Sequence, residues 1–190
     1  SGTWTSLSNT INGEGIGDYS GSAVAISDDG NRVVVGAIYN KGTVTITPGH
    51  ARVYEYSSGS WSQLGSDIDF PGNPLETPKF GSSVSISGDG TTVAISAPVE
   101  YVGATQLGRV RVYTYSSSTW TLVDTIDSPE NTAVSTNPVS LSYTGNRLAI
   151  GYVISSGTGN NHVRVYNLGS GSSSQLGDTI ATPYGADEFG

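Results

Sequence analysis

The chain contains no cysteine and no methionine, and it has only two histidines among its 190 residues. The lack of cysteine excludes a disulfide framework and a thiolate metal site, and it leaves the redox compartment open. Two histidines offer little for general acid–base catalysis or for metal binding. Because position 1 is not methionine, we expect the chain to be a processed or excised piece of a longer protein.

Basic residues are also scarce, since 8 lysines and arginines stand against 16 aspartates and glutamates and leave a net charge of -8. A chain this acidic repels phosphate backbones and anionic lipid headgroups, so the charge disfavours nucleic acid and ordinary membrane surfaces as partners, and neither nucleic acid nor a membrane span is expected. No apolar run reaches the roughly 18 to 20 residues of a membrane-spanning helix, and no charged and then apolar leader is present. A hydrophobic content of 35% with 26 glycines is typical of a folded, all-β protein.

A segment of fifteen residues occurs three times, at a spacing of about 60 residues. The copies span 23–37, 83–97 and 138–152. In the second copy Val84 and Ile86 alternate with serines, which is the pattern of a half-buried strand. The turn that follows, Gly88-Asp89-Gly90, has glycines that supply the positive φ of a tight hairpin. A repeat of this length built only of strand signals predicts stacked four-stranded units.

Two further strands complete each unit. In the clearest copy the four strands are predicted at 82–87, 92–97, 109–115 and 120–126, and 99–107 is predicted as a loop. The pattern predicts an all-β fold, namely a β-propeller segment of three four-stranded antiparallel blades plus an extra N-terminal outer strand. The predicted units are the last strand of a preceding blade with its connector at 1–17, blade 1 at 18–77, blade 2 at 78–134, blade 3 at 135–182 and the start of a following blade at 183–190.

Three blades are fewer than the roughly four to eight that close a propeller. The outer faces of the first and third blades would then be exposed apolar surfaces. We therefore expect further copies of the chain, or the remaining blades of a longer chain, to cover them.

The second copy carries the motifs of a known repeat. These are Phe80-Gly81, Val84-Ser85-Ile86-Ser87, Ala97-Pro98, Gly108-Arg109-Val110-Arg111-Val112-Tyr113 and Trp120. In these motifs the chain resembles the FG-GAP repeat family, whose members resemble the blades of integrin-type β-propellers. The resemblance implies an extracellular or cell-surface interaction module rather than an enzyme. The other copies depart from the pattern, since Ser20-Gly21 and Ser135-Thr136 replace Phe-Gly.

The acidic residues concentrate in the connectors that leave each fourth strand. In a propeller these connectors share one rim with the loops between second and third strands. The candidate binding residues on this rim are Asp67, Asp69, Glu76, Asp124, Asp127, Glu130, Tyr39, Tyr101 and Tyr152. Two interpretations stay open, a solvated face that keeps the protein soluble and a surface for a partner or a cation.

The sequence predicts no catalytic residue and no metal ligand. The turns Asp28-Asp29-Gly30 and Gly88-Asp89-Gly90 are too short and too poor in oxygen ligands to bind calcium. His50 and His162 occupy equivalent positions of the third strand, where each is expected to be a strand-surface cation. No cofactor is expected, and calcium is kept as an alternative.

The predicted function is that of a non-enzymatic extracellular structural or adhesive β-propeller module, part of a larger propeller, an oligomer or a fibre. A carbohydrate-binding propeller and a cation-dependent adhesion domain are the alternatives. The expected partners are further copies of the chain or other blades, together with a protein or glycan ligand. The expected location is extracellular or at the cell surface.

Overall fold

The structure is a computed structural model, and it describes residues 3, 5–6, 8–41, 46–73, 76–102, 105–129, 134–154, 161–169 and 172–181. In these residues all regular secondary structure is β-strand, and the strands form three antiparallel sheets. None of the described residues belongs to a helix with the length and hydropathy to span a membrane.

Each sheet is an antiparallel blade whose strands follow one another in chain order. The first contains β1 (Ser20–Ile26), β2 (Arg32–Ala37), β3 (His50–Ser57) and β4 (Ser60–Gln63), with the short β5 (Ile68–Asp69) also paired to β3. The second contains β6 (Val84–Ile86), β7 (Thr92–Val102), β8 (Thr105–Ser116) and β9 (Thr119–Asp127). The third contains β10 (Val134–Thr136), β11 (Val139–Leu141), β12 (Arg147–Ile154), β13 (His162–Leu168), β14 (Ser173–Gln175) and β15 (Ile180–Ala181). In this sheet β12 pairs with β10, β11 and β13, and β13 also pairs with β14 and β15.

The prediction of an all-β fold made of four-stranded antiparallel blades is confirmed. The predicted extra strand begins at Trp4, which lies outside the described residues, and no described residue before Ser20 is in a strand. This part of the chain nevertheless contacts the first blade. The Asn9 side chain accepts a hydrogen bond from the backbone N–H of Trp61 at 2.9 Å and donates one to its carbonyl oxygen at 3.3 Å.

The hydrophobic cores lie between neighbouring blades. The core between the first and second blades includes the fully buried Val34, Val53, Phe80, Val93 and Ile95. The core between the second and third blades includes Ala94, Val110, Val112, Leu148 and Ile150. Strand β6 contacts β1 and β2 on one side and β11 on the other, so the first strands of the blades lie side by side, as the inner strands of a propeller do.

The Phe80-Gly81 pair joins the first two blades. Phe80 is fully buried beside Phe70, with ring centroids 6.0 Å apart. Gly81 has a φ of 94°, which favours glycine. A Cβ on Gly36 would lie 2.1 Å from the carbonyl oxygen of Gly81, so the close approach of the two backbones requires glycine there as well.

The first hairpin turns of the three blades are linked by backbone hydrogen bonds. Their glycines have positive φ values of 72°, 70° and 66°, at Gly30, Gly90 and Gly145. The N–H of Asp28 donates to the carbonyl oxygen of Gly88 at 3.1 Å, and the N–H of Gly88 donates to that of Tyr143 at 2.8 Å. Equivalent turns thus repeat one contact from blade to blade.

Candidate metal centre

A cluster of charged and polar side chains lies at one end of the first blade, where β3 begins. His50 is the first residue of β3 and pairs with Asp69 of β5. Because side chains alternate across a strand, Ile68 enters the core while its neighbours face the other way. Glu14, from the segment before β1, reaches the same place. We call the following residues the rim cluster: Glu14, His50, Arg52, Asp67 and Asp69.

The imidazole of His50 is the buried member of the rim cluster, with 3% of the residue exposed. Its Nδ1 atom has no hydrogen-bond partner. It lies 3.8 Å from Oδ2 of Asp67 and 3.8 Å from Oδ1 of Asp69, too far for a hydrogen bond. One ligand atom from each of Glu14, His50 and Asp67 lies within 4.8 Å of the others. Buried polar atoms normally have a hydrogen-bond partner, and this nitrogen has none. A cation between the imidazole and the carboxylates would supply the missing interaction.

Arg52 and burial together determine the protonation states in the rim cluster. Its Nε and Nη2 atoms donate to the two carboxylate oxygens of Asp67, each at 2.8 Å, and Nη2 also forms an ion pair with Glu14. These hydrogen bonds lower the pKa of both carboxyl groups. Burial, followed by the charge of Arg52, lowers the pKa of His50, so the imidazole is neutral at pH 7. Desolvation raises the pKa of Asp69.

The second blade carries a different side chain at the position of His50. Arg109 pairs with Asp127 in the same register in which His50 pairs with Asp69. The Nε and Nη2 atoms of Arg109 donate to the two carboxylate oxygens of Asp127 at 2.6 and 3.2 Å. In the second blade this aspartate is therefore neutralised by its strand partner, whereas Asp69 faces an uncharged ring.

Charge is balanced at the rim of the second blade and unbalanced in the rim cluster. Arg111, the counterpart of Arg52, donates two hydrogen bonds to the carboxylate oxygens of Glu100, at 2.6 and 2.7 Å. Arg109 and Arg111 there oppose the two carboxylates of Glu100 and Asp127. In the rim cluster three carboxylates oppose Arg52 alone, because His50 is neutral. Three negative charges and one positive charge leave a formal charge of -2, which a divalent cation would neutralise.

The rim cluster is covered by protein on the His50 side and open on the other. Next to Glu14 lies an open cavity of about 240 Å³, lined by Glu14, Gly15, Asp18, Asn40 and Lys41. The Asn40 side-chain amide donates to Glu14 at 2.9 Å and to Asp18 at 3.1 Å, which holds both carboxylates in place. A small ligand can therefore approach the rim cluster from the Glu14 side.

The donor atoms indicate which ion the rim cluster suits. Calcium takes oxygen ligands, whereas an imidazole nitrogen combined with carboxylates suits zinc and other first-row transition ions. Catalytic zinc sites combine three protein ligands with a fourth position open to water or substrate. Glu14, His50 and Asp67 match such a site in number, in chemical type and in having one open side.

Of the predicted binding residues, the structure brings Asp67 and Asp69 together in the rim cluster. Asp127 lies at the equivalent end of the second blade, where Arg109 binds it. Glu76 and Tyr101 contact each other, because the Tyr101 backbone N–H donates to the Glu76 carboxylate at 3.1 Å.

Asp124, Tyr39 and Tyr152 are not members of the rim cluster. Asp124 is within β9, paired with Val112, rather than in a connector. Tyr39 packs edge-on against another tyrosine ring, with centroids 5.0 Å apart. Tyr152 is not a loop residue, because β12 continues past it, and it is 2% exposed, with its hydroxyl 3.0 Å from that of Tyr166. Glu130 lies outside the described residues.

Sequence reasoning placed Asp67 and Asp69 on the rim but missed the histidine, arginine and glutamate that complete the cluster. The sequence predicts His50 as a strand-surface cation, but it is buried and neutral, because burial disfavours the charged form. A signal was present in the repeats. His50 replaces Arg109 of the second copy, and Asp67 replaces Thr125, so one copy has lost a positive charge and gained a negative one.

No family model matches the chain, and no curated protein matches its sequence. Solved structures match its fold at low sequence identity. A candidate 6-phosphogluconolactonase from Bacteroides uniformis is 11% identical, with a TM-score of 0.57 over 84% of this chain and 40% of that one. A second, from Bacteroides fragilis, is 12% identical, with a TM-score of 0.54 over 83% and 38%. A hypothetical selenium-binding protein from Sulfolobus tokodaii is 12% identical, with a TM-score of 0.50 over 84% and 42%.

The chain spans about two fifths of the length of these structures, and at this identity the likeness establishes the fold alone. It nevertheless corrects two predictions. The prediction of a non-enzymatic structural or adhesive module is wrong, because structures with this fold include candidate lactonases. The prediction that the chain is not an enzyme is wrong for the same reason: a missing catalytic motif excludes little on a scaffold whose chemistry depends on a few side chains. None of these neighbours is named as an FG-GAP protein, and that resemblance stays a prediction.

Proposed function

We propose that the chain is part of a metal-dependent hydrolase of the propeller fold, which opens cyclic esters of sugar acids with a cation bound at the rim cluster. The observation that carries the proposal is the buried Nδ1 atom of His50, which has no hydrogen-bond partner and faces Asp67 and Asp69 across 3.8 Å. Because the imidazole is neutral, its lone pair is available to a metal ion.

A divalent ion in this position supplies two things to ester hydrolysis. It would polarise the carbonyl oxygen, and it would lower the pKa of a bound water to about 7. Water adds to the carbonyl carbon, the ring C–O bond breaks, and the product is an open-chain hydroxy acid. The reaction consumes one water and needs no oxidant or reductant. The open side at Glu14 leaves space for both reactants.

The ester class is supported by two structural neighbours, which are candidate 6-phosphogluconolactonases. The charges of this chain favour a neutral lactone over a phosphorylated one. The cavity beside the rim cluster carries the carboxylates of Glu14 and Asp18, of which Lys41 offsets one, and the whole chain has a net charge of -8. Both charge distributions disfavour a phosphate group.

We also propose that the activity is located outside the cytoplasm. The support is the resemblance of Phe80-Gly81 and the motifs around it to the FG-GAP repeat family. Fractionation of the source cells, followed by immunodetection of the chain, tests this location, and recovery in the cytosolic fraction would contradict it.

Cation binding can be measured by calorimetric titration of chelator-treated protein with Zn²⁺, Mn²⁺ and Ca²⁺. We expect one Zn²⁺ per chain, and binding of Ca²⁺ at least about tenfold weaker, because the site contains an imidazole nitrogen. His50→Arg copies the second blade and should abolish binding, while its new pair with Asp69 keeps the melting temperature close to that of the wild type. His162→Gln, at the equivalent position of the third blade opposite Ala181, is the matched control and should leave Zn²⁺ binding unchanged.

Hydrolysis of a gluconolactone can be followed by acid release at constant pH, with the spontaneous rate in the same buffer subtracted. We expect Zn²⁺-loaded wild-type protein to accelerate ring opening and His50→Arg to show only the spontaneous rate. Binding of Zn²⁺ without acceleration would overturn the enzymatic proposal and leave the metal site intact. Failure of all three ions to bind would overturn both.

A further inference from the structure

The outer flank of the first blade exposes apolar side chains whose counterparts are buried. Val24 and Ile26 of β1 are 64% and 58% exposed. The equivalent residues of β6, Val84 and Ile86, are each 7% exposed because they lie in the core between the first and second blades. The flank of β1 thus has the composition of a contact between blades, with nothing from the described residues packed on it.

The third blade exposes the opposite half of such a contact. Its Ile180 is 50% exposed, whereas the equivalent Ile68 and Ile126 are 3% and 5% exposed in the cores of the other blades. An open cavity of about 240 Å³ lies on the third blade, with Ala149 and Val163 among its lining residues. Both residues are partly exposed here, while their counterparts in the first two blades are buried.

The contact between the second and third blades shows how two flanks fit together. The hydroxyl oxygens of Ser83 and Ser85 accept hydrogen bonds from the backbone N–H groups of Val139 at 3.1 Å and Leu141 at 2.9 Å. The small side chains of one inner strand thus let the backbone of the next inner strand approach closely and hydrogen-bond to them. Ser140 is the counterpart of Ser85 in the third blade, and it is exposed. It can accept the same hydrogen bond from an inner strand placed beside it.

The hydrogen bonds that link the hairpin turns have two open ends. They run from Asp28 to Gly88 and from Gly88 to Tyr143. In the part of the chain that the structure describes, the carbonyl oxygen of Asp28 and the N–H of Tyr143 take part in no further backbone hydrogen bond. A blade added at either flank would extend this row by one bond.

We propose that the exposed flank of β1 in one copy of this chain binds the exposed flank of the third blade in a second copy. A second copy is the fitting occupant because the chain carries both halves of the contact, large apolar side chains on β1 and a small-residue face on β11. The contact is head to tail, so two copies use it twice and close a ring. Three blades from each copy make six, within the roughly four to eight blades of closed propellers.

Light scattering during gel filtration, repeated over a range of protein concentrations, tests the proposal. We expect a particle of twice the 19.6 kDa of the chain. The double variant Val24→Asp/Ile26→Asp and the single variant Ser140→Arg should each return it to one chain that remains folded by circular dichroism, because all three positions are exposed in the single chain. Leu122→Asp, at an exposed apolar position of β9, is the matched control and should remain a dimer.

Mixing the two variants tests the head-to-tail geometry. Each variant keeps one intact flank, so an equimolar mixture should recover a particle of two chains. A wild-type monomer at every concentration would overturn the proposal, as would a dimer that the charges in β1 leave unchanged. If the β1 variant is monomeric but Ser140→Arg stays dimeric, the contact joins two identical flanks and the head-to-tail proposal is wrong.

Discussion

Replacing Glu100 with glutamine tests the charge balance of the second blade, to which the rim cluster is compared. The side chains of Glu100 and Arg111 are 4% and 5% exposed, and they share hydrogen bonds of 2.6 and 2.7 Å. Glutamine keeps the shape of the side chain but leaves the buried guanidinium without a counter-charge. Removing one partner of a buried ion pair costs about 3 to 5 kcal/mol of stability.

The melting temperature of Glu100→Gln, measured by circular dichroism, should therefore fall by roughly 6 to 20 °C, since a chain of this size loses about 2 to 4 °C per kcal/mol. Glu55→Gln is the control, because the pair of Glu55 with Arg32 is also short, at 2.8 Å, but its side chains are 37% and 21% exposed. An exposed pair of this kind contributes less than about 1 kcal/mol. Equal and small losses of melting temperature in the two variants would refute the reasoning. Adding Arg111→Met to Glu100→Gln should restore part of the loss, because it removes the uncompensated buried charge.

Three further predictions concern packing, a buried hydroxyl pair and acid sensitivity. Gly36→Ala should lower the melting temperature sharply, because its Cβ would meet the backbone oxygen of Gly81 at 2.1 Å, and an unchanged value would contradict the close approach. Tyr166→Phe should cost about 1 to 3 kcal/mol in urea unfolding, because it leaves the buried hydroxyl of Tyr152 unpaired. Hydrogen bonds from a serine hydroxyl and from the backbone N–H of residue 31 lower the pKa of Asp29, so this carboxylate stabilises the fold above its unfolded pKa of about 3.9 and ceases to do so as pH falls through the lowered value. The difference in melting temperature between wild type and Asp29→Asn should shrink as the pH falls from about 3.9 through the lowered pKa of Asp29. A difference that grows as the pH falls would contradict the prediction.

The strands were predictable because their signal is local. Alternation of apolar and polar residues with period two, followed by glycine-rich turns, is visible in any single copy, and three copies repeat it. The prediction failed where strand pairing continues beyond the residues that alternate between apolar and polar. The segment 99–107, predicted as a loop, mostly continues β7 and β8, because a bulge between Ala97 and Glu100 takes up Pro98 and the ladder resumes at Leu107.

The rim cluster was only partly predictable because its members are far apart in sequence. Asp67 and Asp69 follow a fourth strand and were placed on the rim by topology. His50 meets them only through the pairing of β3 with β5, and Glu14 arrives from the segment before the first strand. Neither contact has a local signature, so a sequence pattern predicts which end of the blade is acidic but not which carboxylates surround His50.

The repeat alone determined that the chain is all-β and that its sheets are four-stranded and similar, because strand periodicity and turn residues act within a few neighbouring positions. Tertiary structure decided how the copies differ in charge and burial at their rims. The same strand position holds a balanced arginine pair in the second blade and a neutral, buried histidine among three carboxylates in the first. Burial and long-range charge decide that difference, and both depend on residues that only the packed fold brings together.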